Sequence, residues 1–276
     1  MTGSLVKALT MKSAGKDAVV FLGGGRITGA LLAGLRLAKY QGPIIVHDRH
    51  RGKLRELRRQ YGVGIEPDLT RAAAQAGLLI VAVRPDSVRG LLEQLRPLPA
   101  MNAVSLAAGI PLANLRRWMG APVRWARAMP SPVARSGRGL TALTFDRRFP
   151  IAAQRGLRKF FARVGDVIDI PESKFDAFTV TYSSSHGYHA LAALAAAAES
   201  LGLDRETALT AASHGLADGI MAWREGNFSL DGLLHEAATP GGISAATLAA
   251  TDKAGYQRAV QAGLRVGMNR ARKNAK

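Results

Sequence analysis

Three consecutive glycines, Gly23-Gly24-Gly25, separate a short apolar strand from a helix, and this turn restricts the fold more than any other stretch of the chain. The strand Val19-Val20-Phe21-Leu22 runs into Gly23-Gly24-Gly25-Arg26-Ile27-Thr28-Gly29, and a helical pattern follows from Ala30 to Lys39. A helix that starts this way aims its unpaired N–H groups beyond the end of the strand, where an anion is favoured. Gly23-x-Gly25 has the spacing of a dinucleotide turn. The first glycine permits the tight turn, and the second lets the backbone approach a pyrophosphate near Arg26 and Ile27. The third position is Thr28 in place of glycine or alanine, with Gly29 beside it. A lone glycine fingerprint is weak, so its weight comes from the strand before, the helix after and the polar end of the next strand.

That next strand, Pro43–Val46, ends in His47-Asp48-Arg49-His50-Arg51. Asp48 stands where an acid can bond the adenosine ribose hydroxyls, which favours NAD. Arg49 and Arg51 stand where guanidinium groups can pair with a 2′-phosphate, which favours NADP. Both readings stay open, and the two arginines in a basic chain tilt the balance to NADPH over NADH. Two further strand ends carry loop residues that can face a dinucleotide. One is Val83-Arg84-Pro85, where proline starts the next helix; the other is Ala107-Ala108-Gly109, whose small side chains admit a ligand close to the backbone. Each also suits a plain βα loop.

From Asp17 to about Asp169, β-rich runs at 18–22, 43–46, 78–83, 103–105 and 123–125 alternate with amphipathic segments such as Lys53–Tyr61 and Ser87–Leu95. This alternation specifies a doubly wound, mostly parallel α/β sheet, the Rossmann architecture. After Pro171 the strand patterns give way to Ala/Leu-rich helical segments at Ala190–Leu201, Arg205–Glu225 and Ala246–Lys273. The expected organisation is a leader over 1–16, a dinucleotide-binding domain over 17–170 and an all-α domain over 171–276. Alanine-rich helices bury little area per residue, so the helical domain is expected to dimerise or form a higher homo-oligomer.

With 47% hydrophobic residues, the 276-residue chain has the makings of a packed core, and no apolar run is long enough for a membrane span. It has no cysteine, which excludes disulfides and thiol chemistry and makes the cytoplasm the expected location. The six histidines show no metal-ligand spacing, so no metal site is expected. The net charge of +18 raises nucleic acid as a partner, but the basic residues are spread over helices and match no nucleic-acid module. The charge reads as a solvated surface that attracts small anions.

In order, Phe21–Gly25, Ala82-Val83-Arg84-Pro85, Ser105–Gly109 and Arg127-Ala128-Met129-Pro130, followed by Gly137, Gly139 and Thr141, resemble the pyrroline-5-carboxylate reductase family. The most specific match is Thr239-Pro240-Gly241-Gly242-Ile243-Ser244, similar to the family's Thr-Ser-Pro-Gly-Gly-Thr-Thr loop, with Gly255–Val260 after it. The resemblance implies NAD(P)H-dependent reduction of a cyclic imino acid bound between the two domains. Thr239, Gly241, Gly242 and Ile243 would bind the substrate, Gly242 and Ile243 by donating N–H groups to its carboxylate. Ser244 would bond the imine nitrogen. A proline-glycine turn before a helix is also a carboxylate nest on its own chemistry, and Ser244 equally suits a place in the helix cap.

Two segments depart from the family pattern. Its Met-Pro-Asn-Thr-Pro becomes Met129-Pro130-Ser131-Pro132-Val133, which puts Ser131 where an asparagine is expected near the nicotinamide. Its Ser-Gly-Ser-Gly-Pro-Ala-Tyr corresponds to Tyr182-Ser183-Ser184-Ser185-His186-Gly187-Tyr188-His189. Ser185 is a candidate substrate contact, and His186 a candidate proton donor or an ordinary helix-entry residue. An imine or ketimine reductase of secondary metabolism and a non-catalytic dinucleotide sensor are the alternative functions.

Overall fold

In the computed structural model, residues 18–275 are described, and the leader expected at 1–16 lies outside them. Strand β1 (Ala18–Leu22) is buried along its whole length, and its pleat feeds two separate cores. Val19 and Phe21 point into one core; Ala18, Val20 and Leu22 point into the other. Burial on both faces is why the strand reads as an unbroken apolar run rather than an alternation.

The chain then builds α1 (Arg26–Leu37), β2 (Ile44–His47), α2 (Arg51–Tyr61), the two-residue β3 (Gly64–Ile65), α3 (Leu69–Ala74) and β4 (Ala76–Val81). It continues through α4 (Pro85–Gln94), β5 (Asn102–Ser105), α5 (Leu112–Met119), β6 (Arg124–Met129) and β7 (Gly139–Phe145). The sheet closes with α6 (Ile151–Phe161), β8 (Gly165–Asp169) and α7 (Glu172–Thr181). Its eight strands lie in the order β3-β2-β1-β4-β5-β6-β7-β8, all pairs parallel except β6 with β7. One face carries α3, α4 and α5 through Ala72, Val88, Leu92, Leu115 and Trp118. The other carries α1, α2 and α6 through Leu31, Leu35, Leu54, Leu57 and Phe160. This is the doubly wound sheet expected from the sequence, with β1 and β4 at the point where the strand order reverses.

The expected strand at 123–125 starts one residue later and runs on to Met129, so Arg127-Ala128-Met129 belongs to a buried strand. Strands β3, β7 and β8 were not anticipated. β8 is an edge strand with little burial, which removes the apolar run that marks a strand. β7 and β8 both begin at glycines whose backbones touch: a Cβ on Gly165 would lie 1.8 Å from the Gly139 carbonyl oxygen.

Arg127 is 1% exposed and is the most unusual side chain of the sheet. A buried guanidinium is tolerated only when paired. Its Nη2 donates to Asp176 Oδ1 at 2.6 Å, Glu172 Oε1 lies 3.6 Å from Nη1, and the group stacks on the Phe175 ring at 4.3 Å. Glu172 also accepts the Leu112 N–H at 2.6 Å. One cation thus fixes α7 against β6 and the start of α5. The compact unit holding the sheet consequently extends through α7 to Tyr182, and it includes the C-terminal residues from Met268.

The second unit, Ser183–Gly267, is helical: α8 (Ser184–Ser200), α9 (Arg205–Glu225), α10 (Leu230–Ala237), α11 (Ile243–Ala254) and most of α12 (Tyr256–Asn274). The single helix expected over 246–273 is divided by Gly255, whose φ of +92° ends α11 in the left-handed region. Only alanines, namely Ala195, Ala208 and Ala212, form its buried cluster, while Ile220, Trp223, Phe228 and Leu234 are exposed. No helix among the described residues is long and apolar enough to cross a membrane.

Gly34 of α1 meets the 3₁₀ segment at 132–136 so closely that a Cβ would lie 2.1 Å from the Ala134 carbonyl oxygen. Gly34→Ala is expected to lose about 1–3 kcal/mol through overpacking. Gly29→Ala on the same helix, where the nearest atom is 4.0 Å away, should be neutral or gain up to about 1 kcal/mol. Denaturant unfolding of the two variants checks the difference.

Candidate active site

The Gly23 turn has the shape the sequence implied. Gly23 has a φ of +113°, and a Cβ there would stand 2.8 Å from the Ala82 carbonyl oxygen, so β1 and β4 can leave the sheet side by side only with glycine. Gly25 is the N-cap of α1 with no side-chain cap, open space surrounds its Cβ position, and the first turn carries no acid. Unpaired helix N–H groups with no acid in their own turn fit a pyrophosphate. Arg26 is exposed at this turn and Ile27 is half-buried against the core. Thr28 occupies the third fingerprint position usefully: it is fully buried, and its hydroxyl donates to the Gly23 carbonyl oxygen at 2.6 Å.

Asp48 sits at the exit of β2 and ties two loops together. Its Oδ2 accepts the Gly24 N–H at 2.8 Å and its Oδ1 accepts the His50 N–H at 2.9 Å. Burial pushes its carboxyl up, but those two N–H groups and the nearby Lys53 and His50 outweigh burial and hold it below the usual carboxylate range. Arg49 and Arg51 are exposed on either side of His50, with Arg51 opening α2.

Past β4, Val83 is half-buried against the core, and Pro85 opens α4. Arg84 is largely exposed and paired with Asp86 at 2.7 Å. Past β5, the small residues have a second use that the sequence did not disclose. Gly109, at φ +76°, lies where a Cβ would stand 2.5 Å from the Ala271 carbonyl oxygen, and the Asn274 amide donates to the Ala108 carbonyl oxygen at 3.1 Å. Ala107 is buried, its N–H on Ser105 Oγ at 3.2 Å. The smallness of this loop therefore admits the C-terminal helix.

At the exit of β6, Met129 is half-buried and Ser131 is 4% exposed. Ser131 Oγ lies 3.0 Å from the Tyr182 hydroxyl, a neighbour that nothing in the sequence had singled out. The packing of β6, β7 and α7 brings Ser131, Tyr182 and the Leu140 N–H, which donates to the Tyr182 hydroxyl, together.

In the helical unit, Ser183 caps α8, and Ser185 and His186 are exposed in its first turn. The Thr239–Ser244 segment is a tight turn: Gly241 has a φ of +78°, the Gly242 N–H donates to the Thr239 carbonyl oxygen at 2.9 Å, and Gly242 then caps α11. Thr239, Ile243 and Ser244 are all exposed there, and the first turn of α11 carries no acid.

Residues 18–109 match the family described as NADP oxidoreductase, coenzyme F420-dependent, and residues 172–274 match pyrroline-5-carboxylate reductase dimerisation. A pyrroline-5-carboxylate reductase of Thermus thermophilus is 32% identical over 261 residues, covering 90% of this chain and 97% of that protein. The chain belongs to the pyrroline-5-carboxylate reductase family. Another member, from Synechocystis sp., is 29% identical over 265 residues, covering 92% of this chain and 97% of its own. The pyrroline carboxylate reductase of Plasmodium falciparum, solved with NADP bound, superimposes with a TM-score of 0.86 at 17% identity, covering 94% of this chain and 98% of that one. A Coxiella burnetii pyrroline-5-carboxylate reductase gives 0.83 at 24% identity, covering 95% and 99%. These two structures establish a common fold.

For this pyrroline-5-carboxylate reductase family member, the Asp48 bonds yield a pH-dependent expectation. A carboxyl lowered on folding stabilises the protein fully above its unfolded value near 4, and this contribution is lost as the pH falls through the lower folded value. Asp48→Asn should therefore melt below the parent protein at neutral pH, and the gap should shrink below about pH 4. Thermal unfolding from pH 7 to 3 checks this, and a gap that stays constant contradicts it.

Proposed function

We propose that this chain is an NAD(P)H-dependent reductase that converts pyrroline-5-carboxylate to proline, as the names of its relatives indicate for them. The observation that carries the proposal is the turn at Thr239–Ser244. Left-handed Gly241 and the N-cap Gly242, which has no side-chain cap, leave the first N–H groups of α11 unpaired in a turn that carries no acid, which suits the carboxylate of an imino acid. The Gly242 N–H, expected from the resemblance to meet the carboxylate, is taken by the Thr239 carbonyl oxygen at 2.9 Å. Ile243 is therefore assigned as the N–H donor, Thr239 and Gly242 as the residues that close the turn, and Ser244 as the hydroxyl that bonds the imine nitrogen.

A reduced nicotinamide, when bound, supplies the hydride that saturates the C=N bond. The protein's own part is to hold and orient. Gly23, Gly25 and the start of α1 hold the pyrophosphate, while the carboxylate turn fixes the substrate. A cyclic imine that binds as its protonated iminium needs no strong general acid, so Ser244 can act by orientation alone. His186 and Ser185, exposed at the start of α8, are proposed as polar contacts to the same substrate. Because both carboxylate oxygens of Asp48 accept backbone N–H groups, exposed Arg49 and Arg51 are the groups left to meet a 2′-phosphate, which supports NADPH over NADH. The apolar surface of the helical unit supports a homodimer, since patches of this kind mark association surfaces.

The test is steady-state turnover of NADPH with pyrroline-5-carboxylate. Gly242→Ala would place a Cβ 3.0 Å from the Thr239 carbonyl oxygen and disturb the turn. It should raise KM for the imino acid about tenfold, the cost of about 1.4 kcal/mol, with little change in KM for NADPH. An unaltered KM would remove the carboxylate from this turn. Turnover restricted to a six-membered cyclic imine, such as piperideine carboxylate, would keep the reaction and change the substrate.

A further inference from the structure

Tyr182 ends α7, and its position is firmly set. Its N–H donates to the Phe178 carbonyl oxygen at 2.7 Å, and its ring lies against the Phe178 ring at 5.2 Å between centroids. The hydroxyl reaches two other elements. It accepts the Leu140 N–H of β7 at 2.7 Å and stands 3.0 Å from Ser131 Oγ at the exit of β6. Ser131 Oγ in turn lies 3.3 Å from the Val133 N–H, which donates to it.

The geometry allows either hydroxyl of the Tyr182–Ser131 pair to donate to the other, and their acidities favour one direction. The phenolic oxygen takes the Leu140 N–H, and a phenol is a better donor than an aliphatic alcohol, so its own proton goes to Ser131 Oγ. The serine oxygen then accepts two hydrogen bonds, from Val133 and Tyr182. Its capacity to accept is filled, and what it has left to offer is its own O–H. Hydrogen bonds in series polarise one another, so that O–H is a stronger donor than an isolated serine's. It is placed at the carboxyl ends of β1, β4, β5 and β6, the edge where sheets of this type bind ligands.

We infer that Tyr182 and Ser131 act as a two-hydroxyl relay that holds Ser131 as a donor to the carboxamide carbonyl of a bound nicotinamide. Ser131 makes the contact, and Tyr182 is a positioning residue that acts through it. The pair fills the place where the resembled family has an asparagine: a short side chain and a second hydroxyl, brought from 51 residues away, stand in for one amide. The inference rests on the dinucleotide reading of the site.

The experiment is a fluorescence titration of the purified full chain with two ligands, NADPH and adenosine 2′,5′-bisphosphate, which lacks the nicotinamide. Tyr182→Phe keeps the ring packing and removes only the hydroxyl. It should weaken NADPH about five- to tenfold, the size of one lost hydrogen bond, and leave the bisphosphate unchanged. Ser131→Ala, which keeps the Tyr182–Leu140 bond and guards against a folding defect in the first variant, should do the same. The double variant should be no worse than either single one, because both break one chain. In turnover, KM for NADPH should rise more than kcat falls. Unchanged NADPH affinity overturns the relay, as does equal weakening of both ligands, which would mark simple structural damage. If the parent protein binds neither ligand, the dinucleotide reading falls and the relay falls with it.

Discussion

The close approach of β1 and β4 as they leave the sheet is the constraint on which the first unit depends. Gly23 permits it, because a side chain there would collide with the Ala82 carbonyl. From that approach follow the direction of α1, the uncapped N–H groups at Gly25 and the reversal of strand order that opens a crevice at the strand ends. Thr28 and Asp48 then hold the turn in place, one through the Gly23 carbonyl and the other through the Gly24 N–H. Neither is the residue that a strict glycine fingerprint or a simple ribose-binding acid would suggest. Thr28 secures the turn by a hydrogen bond, and Asp48 is a strut as well as a candidate ligand group.

At the other end of the sheet, a buried cation does comparable work. Arg127 lies in the core of a strand and is held by Glu172 and Asp176 from α7. Leaving that guanidinium without its carboxylates would cost several kcal/mol. The pairing therefore fixes α7 and delivers Tyr182 to Ser131.

Apart from the two-residue β3, which is too short and too exposed to leave an apolar run, the parallel half of the sheet was legible in the sequence because its strands are buried and leave unbroken apolar runs, as Val19–Leu22 does. The antiparallel end was not. β8 lies at an exposed edge and has no such run, and β7 is interspersed with threonine and glycine. Losing those two strands also hid the Ser131–Tyr182 pair, since its partners meet only once β6, β7 and α7 are assembled. In the helical unit, alanine-rich segments and the Thr239–Ser244 motif were plain to read. The break at Gly255 was not, because a glycine inside an otherwise helical pattern is as easily a tolerated residue as a cap. Ala107–Gly109 shows the reverse problem: small residues that suited a ligand also make room for the C-terminal helix.

The reaction proposed for this pyrroline-5-carboxylate reductase family member moves a hydride from a nicotinamide to the carbon of a cyclic C=N bond. The most direct measurement uses NADPH with deuterium at the transferable nicotinamide position, pyrroline-5-carboxylate and the purified chain, with the product read by mass spectrometry and NMR. The expected product is proline with one deuterium on the ring carbon of the former C=N bond. Absence of labelled proline, with NADPH left unconsumed, would contradict it.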